Sequence, residues 1–467
     1  MSFSALFLRP GRGFFFLLAL GLLAPVRADP TPAAGTMPED YFPGLRPILD
    51  AALKESPSMI ASALLIEQAD AARQGSGVAP MLPSLGGGAQ YGDDIESISG
   101  NSAATSRTKG LQYNIGLGQP LFQWGALKNQ LEITKAVELI QKKTYADAYR
   151  SLATTLRRQY LGVIIDKIGL RNARYALKLS QDALAVAQEK LKGGTIAQGD
   201  IITPRMDAEG KQLRADRMEQ AYQFDRRTLA RTVGWKDLPD ESIPLAIPIP
   251  KYSPATADAL LAGLLREGAR NTFQAQIDQL YIRQNELAYK IAAVRLLPKF
   301  SATAGYQVQN QAEAVAGSIS QTTFAHETYY IVGNWTIFDG FATRAAKRSA
   351  VASRRYYERQ LQIVTEATMD EAQNSRRTVD FSWRALNLAE QSMGIADFQQ
   401  KQSLIEMKLG NISQDAVRGA QDALNQSDYD DATARAEFLS SWSEFVSTVG
   451  ADPAMSKLPA HYVHDTR

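Results

Sequence analysis

The 467-residue sequence predicts a mixed fold: the membrane strands of a β-barrel joined to very long α-helical coiled coils, with that unit built twice along one chain. Three observations predict it. The punctuation of the chain repeats at an offset of 215–216 residues. Within each copy the period of the apolar residues switches from helical to two, then back to helical. After each two-period stretch comes a helical pattern of about 68 residues with no proline.

Residues 1–28 read as a secretory signal peptide. Arg9 and Arg12 form a positive start, Phe14 to Leu23 an apolar run, and Val26-Arg27-Ala28 a small-residue cleavage site. That run is far short of the ~20 apolar residues of a spanning helix. Cleavage removes three arginines and no acids, leaving 48 basic against 49 acidic residues, so the charge balance argues against nucleic-acid binding. The absence of cysteine excludes a disulfide framework, thiolate metal sites, cysteine nucleophiles and a lipid anchor on cysteine. With only three histidines and no convergent acid, base and nucleophile, the chain is expected to be no enzyme and to need no cofactor or metal.

The first repeat is expected over 29–235 and the second over 258–451, separated by a Pro-rich linker at 236–257 and followed by a flexible tail at 452–467. Leu82-Pro83 falls on Leu297-Pro298, and Leu121-Phe122 on Ile337-Phe338. Gly194-Thr195-Ile196 falls on Gly410-Asn411-Ile412, and Gly234 on Gly450. Each repeat opens with an Ala/Leu-rich helix and then alternates. Leu85, Gly87, Ala89 and Tyr91 interleave with Ser84, Gly86, Gly88 and Gln90, and Phe300 to Val308 does the same in the second copy. Hairpins are therefore expected at about 82–122 and 298–338, with polar loops at 93–108 and 310–325. Strands of about 10–13 residues suit a tilted membrane crossing. Tyr91, Tyr113, Tyr306, Tyr329, Tyr330 and Trp335 are candidates for membrane-interface aromatics. The alternative is a soluble antiparallel sheet, but two hairpins leave open edges, and four strands cannot close a barrel with a lumen. Either the chain oligomerises to close one, or the membrane-strand reading fails.

Long helices follow at 123–192 and 341–408, each reversed into a return helix at 200–233 or 413–449. Tyr149, Leu156, Val163, Leu170, Leu177, Leu184 and Leu191 recur every seven residues, the signature of a left-handed supercoil. Three places beyond each of them the residues are mostly small or polar, which suits a thin-walled assembly. Asp166 on this helix is either a buried hydrogen-bond partner or lumen-facing.

The order of these features resembles the TolC family of outer-membrane efflux proteins. The carriers are the repeat, the Leu-Pro before each first strand, and the strand-to-helix segments Pro120 to Gly125 and Trp335 to Gly340. The tips Gly193, Gly194, Thr195 and Gly410, Asn411 resemble the helix-turn-helix ends of that family's periplasmic tunnel. The resemblance implies a homotrimer whose chains each give four strands to one barrel set in outer-membrane lipid. It also implies an α-helical tunnel across the periplasm, docked on an adaptor protein and an inner-membrane pump. In the family, acidic rings close the tunnel near the tips. Asp200 matches the first tip's pattern, whereas the second tip has Ala416 and Gly419 at the expected places, leaving Asp415 and Asp422 as candidates. The alternative for these carboxylates is helix capping.

The function this implies is the exit duct of a tripartite efflux or type I secretion system. A passive porin-like channel is the second reading and a periplasmic coiled-coil scaffold the third. The paired tips count against the former and the hairpins against the latter.

Overall fold

The computed structural model describes residues 37–98, 104–315, 318–459 and 462. The expected signal peptide, His461 and His464 lie outside these residues. Three helices lead in, α1 (Pro38–Tyr41), α2 (Leu45–Glu55) and α3 (Pro57–Ala72). Next come strands β1 (Ser84–Ile98) and β2 (Ala104–Phe122), the long helix α4 (Ala126–Lys192) and its return α5 (Ile202–Val233). After the linker the order recurs: α6 (Pro254–Glu267), α7 (Phe273–Ala293), β3 (Lys299–Val315), β4 (Ser318–Asn334), α8 (Ala342–Lys408) and α9 (Gln414–Thr448).

The four strands form one antiparallel sheet in chain order, with Leu85 opposite Leu117, Leu117 opposite Ala304, and Ala304 opposite Tyr329. β1 and β4 are open edges among the described residues. Polar loops at 93–108 and 310–325 are not what the structure shows. The ladder runs up to Ile98–Ala104 and Val315–Ser318, giving strands of 15 to 19 residues. Alternation is lost at 93 because Asp93, Asp94, Glu96 and Ser97 outnumber the lone Ile95 there, yet backbone pairing needs no apolar face; Arg107 pairs with Asp93 across this part of the ladder.

At each strand-to-helix corner two consecutive residues take left-handed backbone angles, Trp124 with Gly125 and Gly340 with Phe341. The corners are braced from the side. Trp124 Nε1 donates to the Pro298 carbonyl at 2.7 Å and Trp335 Nε1 to the Leu296 carbonyl at 2.9 Å.

The core sits midway along the long helices. Tyr149, Leu156 and Val163 of α4 meet Phe438, Trp442 and Phe445 of α9, and α2, α6 and the linker residues Ile243 and Ile247 cover them. The heptad stripe is buried from Tyr149 to Leu170 and only half-buried at Leu177, Leu184 and Leu191. The lower helix pairs are thus thin, without a core of their own.

The expectation of a flexible tail fails for 452–459. Asp452 is fully buried, and both its oxygens accept from the buried Arg157 guanidinium, at 2.6 and 2.8 Å. Arg157 also donates to Glu39 of α1 at 2.6 and 2.9 Å. Ala454 and Leu458 join the core, and Lys457 pairs with Asp50. A buried charge requires partners, and here they come from both ends of the described chain.

Candidate functional site

The tips are built by the chain reversal itself. Gly194 and Gly410 take left-handed angles (φ +69° and +78°), at a place where any side chain would be strained. The next residue closes each turn. The amide of Thr195 donates to the Lys190 carbonyl at 2.8 Å, and that of Asn411 to the Glu406 carbonyl at 2.9 Å. Gly193, Gly194, Thr195, Gly410 and Asn411 are all exposed, so both tips are free surface on this chain.

The candidate carboxylates do not converge in one chain. Asp200 accepts from the Ala197 amide at 2.9 Å, bracing the first tip turn. Asp415 is 87% exposed and pairs with Arg418 at 3.2 Å, while the cap of α9 is Ser413. Asp422 is exposed and makes no ion pair among the described residues. It lies two helical turns from Asp415 on the same face of α9, roughly 10 Å along the axis.

The sheet sorts its aromatics by register. Tyr91, Tyr113, Tyr306 and Tyr329 share one face with Leu85, Ile115 and Ile331. Tyr330, paired with Thr303, falls on the opposite face with Ser301 and Gln307, and Trp335 lies beyond β4 at the corner. The apolar face is exposed almost throughout: Leu85, Tyr91, Tyr329 and Ile331 have no cover from this chain.

The edge helices are uncovered in the same way. Phe381, Leu388 and Ile395 of α8 recur at seven-residue spacing and are exposed, as are Ile202, Met206, Leu213 and Phe224 of α5. A soluble monomer would leave two apolar seams and an apolar sheet face in water.

Sequence reasoning missed the arrangement at mid-height. There α4, α5, α8 and α9 line an open cavity of about 630 Å³, with the core residues Leu161 and Ala436 in its wall. Asp166 and Asp225 line it as a carboxyl pair, and burial together with the Asp225 carboxylate pushes Asp166 up to about 7. Only the position of Asp166 on a helix hinted at this. Among the described residues no cluster of three or more His, Asp or Glu side chains is disposed to hold a metal, and no helix is long and apolar enough to cross a membrane.

Comparison with known proteins gives two findings. Residues 48–234 match the outer membrane efflux protein family. The described fold is shared with solved outer-membrane proteins. The CmeC outer membrane channel of Campylobacter jejuni superposes with a TM-score of 0.68 at 13% identity, covering 92% of this chain and 90% of that one. The open-state MtrE outer membrane channel of Neisseria gonorrhoeae gives 0.66 at 14% identity, covering 91% and 93%. The outer membrane protein VceC of Vibrio cholerae gives 0.62 at 15% identity, covering 89% and 98%. No curated protein sequence matches the chain.

Proposed function

We propose that this chain is a TolC-like outer-membrane efflux protein, a channel rather than an enzyme, and that it is the outer-membrane exit duct of a tripartite efflux or type I secretion system; the match of residues 48–234 to the efflux family and the shared fold support that reading. Three copies close one barrel, each giving four strands, and the duplicated repeat supplies two quasi-equivalent wall segments per chain. The tips dock on a periplasmic adaptor that links the duct to an inner-membrane pump. Acidic side chains near the tips, from Asp200, Asp415 and Asp422, narrow the periplasmic entrance.

One observation carries this reading. A single chain puts an unclosed sheet with a bare apolar face at one end of helices 67 residues long, roughly 100 Å at 1.5 Å per residue. The sheet edges and the α5 and α8 seams are all satisfied by a cyclic assembly of like copies. Twelve strands are enough for a barrel with an aqueous lumen. The helices then reach far below the ~30 Å hydrocarbon layer, a length that a passive pore has no use for. The candidate interface aromatics Tyr91, Tyr113, Tyr306 and Tyr329 then face lipid, while Tyr330 faces the lumen.

The test is planar-bilayer recording on the purified chain, with the mass of the detergent-solubilised particle measured in parallel. The expected result is a trimer that opens discrete conductance steps. A monodisperse monomer without conductance contradicts the duct.

A further inference from the structure

The start of α8 carries a charge that the repeat does not explain. Arg344 and Arg348 are exposed and Lys347 is half-buried, and none of the three makes an ion pair or hydrogen bond among the described residues. The nearest acid in sequence, Asp339, is taken up by the Thr343 amide at 2.8 Å and the Thr343 hydroxyl at 2.6 Å, with Arg295 4.0 Å away. α4 and α8 are each 67 residues long, so Ala342 answers Ala126 and the three positions answer Lys128, Leu131 and Glu132. That set has no net charge, and its acid pairs with Lys135. The first repeat folds into the same corner without the basic cluster, so the corner itself does not require one.

The phase of α8 gives the cluster its side. At mid-height Asp380 follows the buried Val379 and accepts from the linker residue Tyr252 at 3.2 Å. Trp383 comes three residues before the buried Leu386 and packs on the same tyrosine, ring centroids 5.2 Å apart. Arg344 follows the buried Thr343, and Lys347 comes three residues before the buried Ala350, so both share the phase that the linker covers lower down. A duct keeps its lumen clear, which puts the linker layer on the outer surface, and to that extent the inference rests on the proposed function. The corner above supplies an apolar half. Trp335, Ile337, Phe338 and Phe341 are 64–76% exposed, and the last two rings meet edge to face at 5.3 Å. Aromatic rings backed by cationic side chains are what a membrane–water interface selects. From Phe341, Arg344 and Arg348 lie roughly 5 and 10 Å along the helix axis. A headgroup layer is roughly 5–8 Å deep on each side of the hydrocarbon, so long basic side chains at these positions reach it.

We propose that Arg344, Lys347 and Arg348 bind the headgroup phosphate of an anionic phospholipid in the periplasmic leaflet, with its acyl chains against Phe338 and Phe341. Guanidinium groups take a phosphate bidentately, and an ammonium adds a point charge beside them. A zwitterionic headgroup offers the same phosphate but brings its own cation, which the cluster repels; a net anionic headgroup does not. The rings beside the cluster select a lipid over a free phosphate ion. Each chain carries one such site, on its second repeat only.

The full chain is reconstituted into vesicles of phosphatidylcholine and phosphatidylglycerol, one or the other carrying brominated acyl chains. Quenching of tryptophan fluorescence then reads which lipid lies beside the protein, with Trp335 at the corner as the nearest reporter. Phosphatidylglycerol is expected to be preferred at least about fivefold, and the double variant Arg344→Gln with Arg348→Gln to fall within about twofold of parity. Lys128→Gln, at the answering position of the first repeat, is expected to keep the wild-type preference. All three side chains are exposed, so these variants leave the packed core untouched. Equal preference in wild type and the double variant overturns the site, as does an equal loss in Lys128→Gln, which would reduce the effect to overall charge. Conductance recorded on the same vesicles separates the two claims. Pores without a lipid preference refute the site alone, and wild-type protein without pores refutes the duct. A double variant with altered conductance but unchanged lipid preference puts the arginines in the lumen and also overturns the site.

Discussion

Replacing Arg157 by methionine removes a guanidinium that is fully buried and makes five hydrogen bonds, two to Glu39, two to Asp452 and one to Ser443. Methionine fills much of the space but leaves Asp452, whose side chain is 0% exposed, without its cation. Stranding a buried charge in this way costs about 3–5 kcal/mol. The cost falls on whatever releases Asp452 most cheaply, which is local detachment of 452–458 from α4 and α9 rather than unfolding of the helices. If the amides of 452–458 exchange through that opening, their hydrogen exchange accelerates by roughly a hundred- to a few-thousand-fold, because each 1.4 kcal/mol is a factor of ten. Mass-resolved exchange on the detergent-solubilised protein measures it peptide by peptide, with the sheet and tips as internal controls. Arg157→Lys keeps the charge but cannot bridge both carboxylates bidentately, and should fall between wild type and methionine. Less than tenfold acceleration in the methionine variant, or equal acceleration in tail and tips, would refute the reasoning.

Gly234→Ala places a Cβ 2.2 Å from the Glu55 carbonyl oxygen at a left-handed residue (φ +101°), whereas Gly450→Ala shares the left-handed backbone but meets open space. Gly450→Ala should cost about 1–2 kcal/mol of backbone strain, and Gly234→Ala clearly more, read as the fall in the midpoint of thermal unfolding followed by circular dichroism. Asp166 has its carboxyl raised in the folded state, so its protonated form favours the fold. That contribution is complete below about pH 4 and is lost as pH rises to about 7. Asp166→Asn should flatten this part of the heat-stability profile, and an unchanged profile would remove Asp166 as its source. If Asp415 or Asp422 rings the entrance, replacing it by alanine raises single-channel conductance and lowers cation preference; no change in either quantity removes the ring.

What could be read from the sequence was periodic. The seven-residue stripe from Tyr149 to Leu191 lies along α4, and the alternation at 85–91 and 300–308 lies in β1 and β3. The glycines at 194, 234, 410 and 450 have a shared physical reason for their spacing, since each takes the left-handed conformation at a helix end. What stayed hidden depends on partners far apart in the chain. Nothing local marks Asp452 as buried, because its partner lies 295 residues away on a helix that is otherwise read for its apolar stripe. The outer parts of the strands were hidden for the opposite reason: they are held by backbone pairing and carry a mostly polar sequence without regular alternation, so no pattern reports them. The cavity escaped because its lining is spread over four helices, α5 giving Asp225 alone, and no one helix shows it.

The claim at the centre of this account is that the two tips meet a partner. A photo-reactive residue at Thr195 or Asn411, activated in cells and followed by mass spectrometry of the captured proteins, tests it most directly. The account predicts capture of a periplasmic adaptor from both positions, with an inner-membrane pump recovered alongside it. Capture of nothing but further copies of this chain would contradict it and leave a passive channel in its place.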